Sequence, residues 1–461
     1  MAIQSVSPVN NELIKSFVAM NASEVERRVA AADAAYRAHR RNSPASRAAA
    51  MHRAGEILLN RKHEFGRLMT MEMGKPLSAA IAEVEKSATA CMYYAENAER
   101  FLADRKVAVE DGEAWVAFQP TGVVLAIMPW NFPFWQVFRF AAPTLMTGNA
   151  GLLKHASNVP QCALAIEAVF LEAGFPEGIF QTLLIPASGV DSLIADRRIT
   201  AVTLTGSEGA GRAVASVAGR NLKKCVVELG GSDPFIVMPS AILSEAVETA
   251  VTARMINNGQ SCIAAKRFIV HRKIHDAFIE GFVKAVELLK VGDPMDPSVQ
   301  IGPLATEQGV DELEKQVETT VAAGARVLTG GKRKSGAGNF FQPTVLSDIP
   351  LGSPASEDEM FGPVASVFPA KNVEDAIAIA NSTRFGLGAS VWTNDAVERA
   401  SFISDIQSGL LFINGMVASD ARLPFGGVKD SGFGRELGEY GIHEFVNIKA
   451  VRVVRKQARE K

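Results

Sequence analysis

Cysteine is scarce in this sequence, and its placement excludes several kinds of site. The 461 residues include four cysteines, none at CxxC spacing: Cys91, Cys162, Cys225 and Cys262. Such sparse, irregular usage favours free thiols in a reducing, cytoplasmic compartment over a disulfide framework. The seven histidines form no HExxH-type pair, so we expect no metal site.

Excess charge of one sign and long apolar runs are also missing. The 48 basic and 50 acidic side chains give a formal net charge of -2, so no positive excess would attract nucleic acid or an anionic membrane. No apolar run reaches the roughly 18 residues of a membrane-spanning helix. The N-terminal segment lacks the basic and apolar regions of a secretory signal. We expect a cytoplasmic protein that binds neither nucleic acid nor membrane.

The chain is too long for one hydrophobic core, so two or three domains are expected. Residues 22–108 predict helices. Short β-branched runs then alternate with helical segments in two successive series, and each series predicts a parallel sheet covered by helices on both faces. The predicted α/β architecture has a first domain of residues 1–108 with 121–228, a second domain of residues 229–430, and a pair of exposed strands in 109–120 and 440–461 that is a candidate for subunit pairing.

Cys262 is the most informative single residue. It lies among small and amide residues in the run Asn258–Ile263, 34 residues after Glu228, which ends a β-branched run and precedes two glycines. A thiol nucleophile with a carboxylate base can form and hydrolyse a thioester. Most lone cysteines, however, are small buried hydrophobic residues, so Cys262 needs further support.

Four weaker motifs give that support, and each has a structural alternative. The glycine-rich turn Gly206–Gly211 follows a predicted strand and opens a helix, which suits phosphate binding but also close packing. Asn131, between prolines and aromatic residues, suits an oxyanion donor or an Asx-type turn. Lys154 ends a predicted strand at the edge where parallel sheets bind ligands, although most lysines are merely solvated. Glu359 suits a ribose hydroxyl or a solvated helix end.

Together these motifs resemble those of the aldehyde dehydrogenase superfamily. The segments MPWNFP, LLKHAS, TGS, VELGGSDP, NNGQSCIAAKR, EMFGPV, FINGM and PFGGVKDSGFGRELG occur in that order from about residue 10 to about residue 455. Within the superfamily the chain is most similar to the bacterial succinate-semialdehyde-oxidising branch. The resemblance implies a Rossmann-type cofactor domain, a second α/β domain with the thiol and a β-strand oligomerisation flap, assembled into a homodimer or homotetramer.

The resemblance also implies a role for each motif. The Cys262 thiolate would attack the aldehyde to give a thiohemiacetal, with Asn131 and the Cys262 N–H stabilising its oxyanion. After hydride transfer, Glu228 would activate the water that hydrolyses the thioester. Lys154 and a helix N-terminus are the candidates for favouring the thiolate, whose pKa is otherwise near 8.5. The cofactor would contact the following residues: Trp130, Lys154, Ser157, Gly206, Ser207, Leu229, Glu359 and Phe361.

Two positions bear on cofactor and substrate choice. Many relatives have glutamate where Ser157 stands, so we expect NADP to be preferred and NAD to remain usable. Arg139, eight residues after Asn131, is a cation in an apolar stretch. It would bind the carboxylate of succinate semialdehyde together with Ser419, or else form an internal salt bridge. The alternatives are another small aldehyde, such as glutarate semialdehyde, a CoA-acylating relative, a non-catalytic relative or a nucleotide-independent cysteine hydrolase.

Overall fold

A computed structural model describes residues 3–454 of the chain. The first hundred residues form a short hairpin and four helices: β1 (Ile3–Val6), β2 (Leu13–Phe17), α1 (Ala22–His39), α2 (Pro44–Asn60), α3 (Lys62–Met73) and α4 (Leu77–Phe101). The helical prediction is confirmed for this region. Helix α1 begins with a capping box, in which Asn21 accepts the Glu24 N–H at 3.0 Å and the Glu24 carboxylate accepts the Asn21 N–H at 2.8 Å.

The next segment alternates strands and helices, as its β-branched runs predicted: β3 (Arg105–Val107), β4 (Glu113–Pro120), β5 (Val123–Met128), α5 (Trp135–Met146), β6 (Ala150–His155), α6 (Pro160–Glu172), β7 (Phe180–Thr182), α7 (Val190–Ala195), β8 (Ile199–Thr205), α8 (Glu208–Arg220) and β9 (Lys224–Glu228). Strands β5 to β9 form one parallel sheet. Buried apolar residues cover its strands, and helices α2 to α6 contribute to the same core.

The remaining elements build a second sheet and return to the first: β10 (Asp233–Val237), α9 (Leu243–Met255), β11 (Ala265–His271), α10 (His275–Glu287), α11 (Glu307–Ala322), β12 (Arg326–Thr329), β13 (Thr344–Ser347), α12 (Pro354–Glu357), β14 (Val364–Ala370), α13 (Val373–Asn381), β15 (Gly388–Trp392), α14 (Ala396–Asp405), β16 (Leu410–Ile413), β17 (Gly432–Phe433), α15 (Gly438–His443) and β18 (Val446–Val453). Separate apolar clusters pack on this second sheet.

Strand order identifies the edge at which a ligand is expected. The first sheet has the order β17-β9-β8-β5-β6-β7, so the chain leaves β5 toward β6 and later returns on the other side through β8. Ligands of open parallel sheets bind at the carboxyl ends of the strands where the order reverses in this way. The segment carrying Asn131 follows β5, and the Gly206 turn follows β8, so both lie at this reversal.

Three details differ from the sequence-based expectations. The seven-stranded second sheet, in the order β12-β13-β14-β11-β10-β15-β16, is not wholly parallel, because β12 pairs antiparallel with β13. The first sheet gains β17, which pairs antiparallel with β9. Strand β18 begins at Val446 rather than near residue 440, because Gly438–His443 is helical. It pairs with β4 along Glu113–Pro120, and residues 455–461 of the predicted segment lie outside the described residues.

Candidate active site

The loop that carries Cys262 joins α9 to β11 and has an unusual backbone. Asn257, Asn258 and Gly259 are consecutive left-handed residues, with φ of 55°, 58° and 76°. Asparagine and glycine are the residues that tolerate this conformation best. At Gly259 no other residue fits, because a Cβ atom would lie 2.2 Å from the Gly362 carbonyl oxygen. The sequence NNG therefore shapes the turn that leads into the thiol.

The two asparagine side chains hold this loop against the rest of the molecule. Asn257 Nδ2 donates to the Asn131 carbonyl at 2.7 Å and to the Gln260 carbonyl at 2.9 Å. Asn258 Nδ2 donates to the carbonyls of Gly74 and Pro303, each at 3.0 Å. These buried amides replace the regular hydrogen bonds that a loop lacks. They were not recognised from the sequence, where the only signal was two asparagines before a glycine.

Asn131 is buried, with 4% exposure, and its amide faces the thiol loop. Its Nδ2 donates to the Gln260 carbonyl at 3.1 Å, and its Oδ1 accepts from Gln136 Nε2 at 3.1 Å. Because Gln136 occupies the oxygen end, the NH₂ end is directed toward the segment two residues before Cys262. This is the orientation that an oxyanion donor requires.

Glu228 ends β9 and is enclosed, with 2% exposure. No described residue donates a hydrogen bond to either carboxylate oxygen. Burial, reinforced by the nearby Glu436 carboxylate, raises the pKa of Glu228 well above its usual range. The side chain lines neither of the two cavities that meet at Cys262, and a Cβ atom at Gly426 would lie 2.7 Å from its Oε1. The Glu228 carboxylate, the predicted base, is therefore enclosed outside both of these cavities.

The electrostatic environment of the thiol differs from the expectation. Burial raises the pKa of Cys262 to about 12, and the charges of Lys266 and Arg139 oppose this rise. We expected Lys154 to favour the thiolate, but the cations that act on the thiol come from β11 and α5, whereas Lys154 lies on β6. Lys266 Nζ donates to the carbonyls of Ser261 at 2.7 Å and Cys262 at 2.6 Å. It also pairs with Glu359 at 3.1 Å.

One cavity, of about 320 Å³, opens from Cys262 toward the carboxyl edge of the first sheet. Its lining includes six of the residues predicted to contact the cofactor: Trp130, Gly206, Ser207, Leu229, Glu359 and Phe361. The thirteen-residue helix α8 begins at this wall, where its free N–H groups suit phosphate. The Glu359 carboxylate suits a ribose hydroxyl, and a Cβ atom at Gly230 would lie 2.5 Å from its Oε2. The residues present therefore fit a dinucleotide.

The remaining predicted cofactor residues, Lys154 and Ser157, are not among those lining this cavity. Lys154 is buried, and burial lowers its pKa. Ser157 is exposed in the turn before α6. Between them His155 is buried, with its ring nitrogens 3.2 Å from the Met128 carbonyl and 3.0 Å from the Pro133 carbonyl. Lys154 and Ser157 thus lie on β6 and its following turn, next to β5 in the sheet.

A second cavity, of about 220 Å³, also reaches Cys262 and contains the predicted substrate residues. Arg139 and Ser419 both line it. Arg139, with 2% exposure, forms an ion pair with Glu436 and stacks on Phe425, its guanidinium carbon 4.3 Å from the ring centre. The internal salt bridge that the sequence left open is therefore present. Glu436 had no recognisable signal, because it lies in a glycine-rich segment far from Arg139 in sequence.

Metal-binding clusters and membrane-spanning helices are both absent from residues 3–454. No group of three or more His, Cys, Asp or Glu side chains is arranged to hold a metal ion. No helix in this part of the chain has the length and hydropathy to span a bilayer.

Comparisons with known proteins give a consistent result. A model of the aldehyde dehydrogenase family matches residues 1–451. The chain is 52% identical to the succinate-semialdehyde dehydrogenase (NADP(+)) 1 of Mycobacterium ulcerans, covering 98% of this chain and 99% of that protein. It is also 52% identical, with the same coverage, to a probable succinate-semialdehyde dehydrogenase (NADP(+)) of Synechocystis.

A solved structure extends the comparison to three dimensions. The succinic semialdehyde dehydrogenase of Streptococcus pyogenes, crystallised in complex with NADP+, is 36% identical to this chain. Its TM-score is 0.96, over 98% of this chain and 100% of that one. The similarity therefore includes both sheets and the loops between them.

Proposed function

The chain belongs to the aldehyde dehydrogenase family, and on that basis we propose that it oxidises succinate semialdehyde to succinate, with NADP preferred and NAD usable. Family membership confirms the resemblance and the α/β fold class that the sequence predicted. The observation that carries the substrate is the second cavity, where Cys262, Arg139 and Ser419 line one space. A thiol and cations in one small cavity suit an aldehyde that carries a carboxylate.

The first half of the proposed reaction belongs to Cys262 and Asn131. The thiol loses its proton to water, and the sulfur attacks the aldehyde carbon to form a thiohemiacetal. Asn131 Nδ2 and the Cys262 N–H donate to the resulting oxyanion. When bound, the nicotinamide of NADP supplies the acceptor for the hydride that leaves this carbon. The product that remains on the protein is a thioester of Cys262.

The second half belongs to Glu228. Its raised pKa makes it a stronger base once deprotonated, which suits removal of a proton from water. Because the carboxylate lines neither cavity, its side chain must rotate toward Cys262 to do so. Water attacks the thioester carbon, the C–S bond breaks, and succinate and the free thiol are released.

The cofactor preference is proposed from the turn after β6. Ser157, in that turn, carries no negative charge that would repel a 2′-phosphate, and Lys154, near the end of β6, supplies a cation. The relative whose name specifies NADP(+) and the solved structure in complex with NADP+ both support this choice. The remaining contacts are those lining the first cavity.

Steady-state kinetics test the proposal directly. With NADP, kcat/KM for succinate semialdehyde should exceed that for butanal, which has the same carbon number but no carboxylate, and for acetaldehyde and glutarate semialdehyde. With NAD in place of NADP, kcat/KM for succinate semialdehyde should fall. An enzyme that oxidises butanal as efficiently as succinate semialdehyde would contradict the substrate assignment, and a preference for NAD would contradict the cofactor assignment.

We also propose that the protein is a cytoplasmic homodimer or homotetramer. All four cysteines are free thiols, which suits a reducing compartment. Strands β4 and β18, together with β3, form a separate three-stranded sheet, and its exposed edges suit pairing between subunits. We further propose that residues 1–108 and 121–228 form the nucleotide-binding domain and that residues 229–430 form the catalytic domain.

A further inference from the structure

Lys86 is a lysine in the second cavity whose role is not explained by the proposed reaction. It lies on α4, one turn after Glu83, and lines the cavity with Cys262 and Ser419. Its Nζ donates to Ser419 Oγ at 2.7 Å and lies 4.5 Å from the centre of the Trp135 ring. The ammonium group thus contacts the Ser419 hydroxyl and the Trp135 ring, and both of these residues line the cavity.

Each other cation of this cavity already has a carboxylate partner. Lys75 pairs with Glu83, and Arg139 pairs with Glu436. No carboxylate among the described residues forms an ion pair with Lys86.

The two carboxylates whose charges act on Lys86 form their hydrogen bonds with other groups. Glu83 Oε1 accepts the N–H groups of Phe134 and Trp135 at 2.9 and 3.0 Å, and Oε2 accepts from Lys75. Both oxygens of Asp420 accept from Arg422, at 2.9 and 2.6 Å. The charges of the two buried ion pairs cancel, so the half-buried Lys86 gives the cavity one positive charge without a counter-ion. Withdrawing a charge from water without a partner is costly.

The protonation of Lys86 agrees with this balance. Burial, together with the charge of Arg139, lowers its pKa to about 8, against the opposing effects of Glu83 and Asp420. An incoming anion would compensate the ammonium group.

We propose that Lys86 is a specificity-determining residue that binds the carboxylate of the substrate, together with Ser419. The inference rests on the proposed function for the identity of that substrate. With Lys86 Nζ donating to its oxygen, the Ser419 hydroxyl keeps its own proton free to donate to the carboxylate. Arg139 lines the same cavity, but its guanidinium is already paired with Glu436 and stacked on Phe425.

The first test compares two aldehydes that differ in the carboxylate. In Lys86→Met the ratio of kcat/KM for succinate semialdehyde to that for butanal should fall at least about tenfold, the cost expected for losing a charge-assisted bond. Lys86→Arg should restore part of the ratio. Lys62→Met is the matched control. Lys62 lies outside the cavity, on α3, and pairs with Glu85, the residue before Lys86 on α4. Equal losses for both aldehydes, or an unchanged ratio, would overturn the inference.

Dependence on pH gives a readout that a structural role would not change. Ionisation of Cys262 affects both aldehydes and cancels in the ratio. Lys86 faces Glu83 on its own helix, Arg139 on α5 and Asp420 before β17. As its ammonium group deprotonates, the wild-type ratio should decline above about pH 8, whereas in Lys86→Arg it should stay constant because arginine remains charged. A wild-type ratio that is constant from pH 7 to about pH 9.5 would contradict the proposal.

A second experiment separates this inference from the proposed function, because it needs no turnover. Succinate should protect Cys262 from alkylation by iodoacetamide. Mass spectrometry of the peptide that contains the thiol measures the alkylation. The half-protecting concentration should rise at least about tenfold in Lys86→Met and remain unchanged in Lys62→Met. If succinate semialdehyde is not the preferred substrate but Lys86-dependent protection is seen, the proposed function fails and the anion site stands. Protection that is equal in Lys86→Met overturns the anion site alone.

Discussion

At the scale of single residues, the thiol illustrates how burial and charge oppose each other. Desolvation of Cys262 disfavours its thiolate, while Lys266 and Arg139 favour it. Burial has the larger effect, so the free enzyme holds a protonated thiol at neutral pH. A protonated thiol is a poor nucleophile and resists oxidation. The raised pKa of Cys262 therefore favours its less reactive form in the free protein.

Alkylation of the free protein measures this effect. With the pKa of Cys262 raised to about 12, the thiolate fraction increases with pH throughout the accessible range. The rate constant for iodoacetamide should rise about tenfold per pH unit from pH 7 to pH 10, without levelling off. Mass spectrometry of the Cys262 peptide supplies the rate, and Cys262→Ala is the blank. A plateau below about pH 8.5, the pKa of a free thiol, would show instead that the cations outweigh burial.

The residue scale also shows what sequence can and cannot predict. Cys262, Glu228 and Asn131 were named because each sits within a contiguous motif whose neighbours constrain its meaning. Lys86 and Ser419 touch although they lie 333 residues apart in the chain, and neither belongs to a motif that mentions the other. The partner of Arg139 was likewise left open, because a cation in an apolar stretch indicates only that some anion is near.

At the scale of elements, the loop before Cys262 depends on one backbone position. Gly259 has a φ of 76°, and its Cα hydrogen faces the Gly362 carbonyl. The loop places both the thiol and the carbonyl that Asn131 contacts. A shift here would displace the nucleophile and the oxyanion donor together.

Gly259→Ala should therefore impair catalysis as well as folding. The added methyl group meets the Gly362 oxygen, and a displacement of about 1 Å at such a site can cost about a hundredfold in rate. The measurements are kcat with NADP and the thermal midpoint. Gly219→Ala in α8 is the control, since nothing lies within 4 Å of its Cβ position, and it should stabilise the protein by about 0.5–1 kcal/mol. Wild-type activity in Gly259→Ala would refute the role of this turn.

Most elements were predictable because they follow local patterns. Buried β-branched runs predict a series of strands in the segment that forms β5, β6, β8 and β9. Strand β17 was not predictable: it is two residues long, Gly432 and Phe433, and exists only because it pairs with the end of β9. Elements formed by long-range pairing leave little trace in local periodicity.

At the scale of the whole molecule, the three-stranded sheet is separate from the six-stranded first sheet and the seven-stranded second sheet. Strand β18 pairs with β4 on one side, and no described strand covers its other side. Every residue of β18 after Val446 is exposed or half-buried, and Ile448 is 60% exposed. An open, partly apolar edge favours strand pairing between chains.

Ile448→Lys tests the proposed assembly at this edge. Lysine on an edge strand disfavours pairing with a second chain, so the oligomer should dissociate to a smaller species at low micromolar protein. Light scattering coupled to size exclusion gives the mass, and circular dichroism checks the fold. Lys449→Arg, on the neighbouring exposed position, keeps the charge and serves as the control. An oligomer of unchanged mass in Ile448→Lys would place the interface elsewhere.

Cys262 borders both cavities, and this has a consequence for the sequence of events in a catalytic cycle. Under the proposed assignment, the nucleotide and the aldehyde would reach the sulfur through separate cavities, so neither would block the path of the other. Access to the sulfur then does not dictate which of the two ligands binds first, which permits a random-order mechanism. The acid product can also depart while the reduced nucleotide is still held. Water needed for deacylation has two routes to the thioester, only one of which is closed by a bound nucleotide.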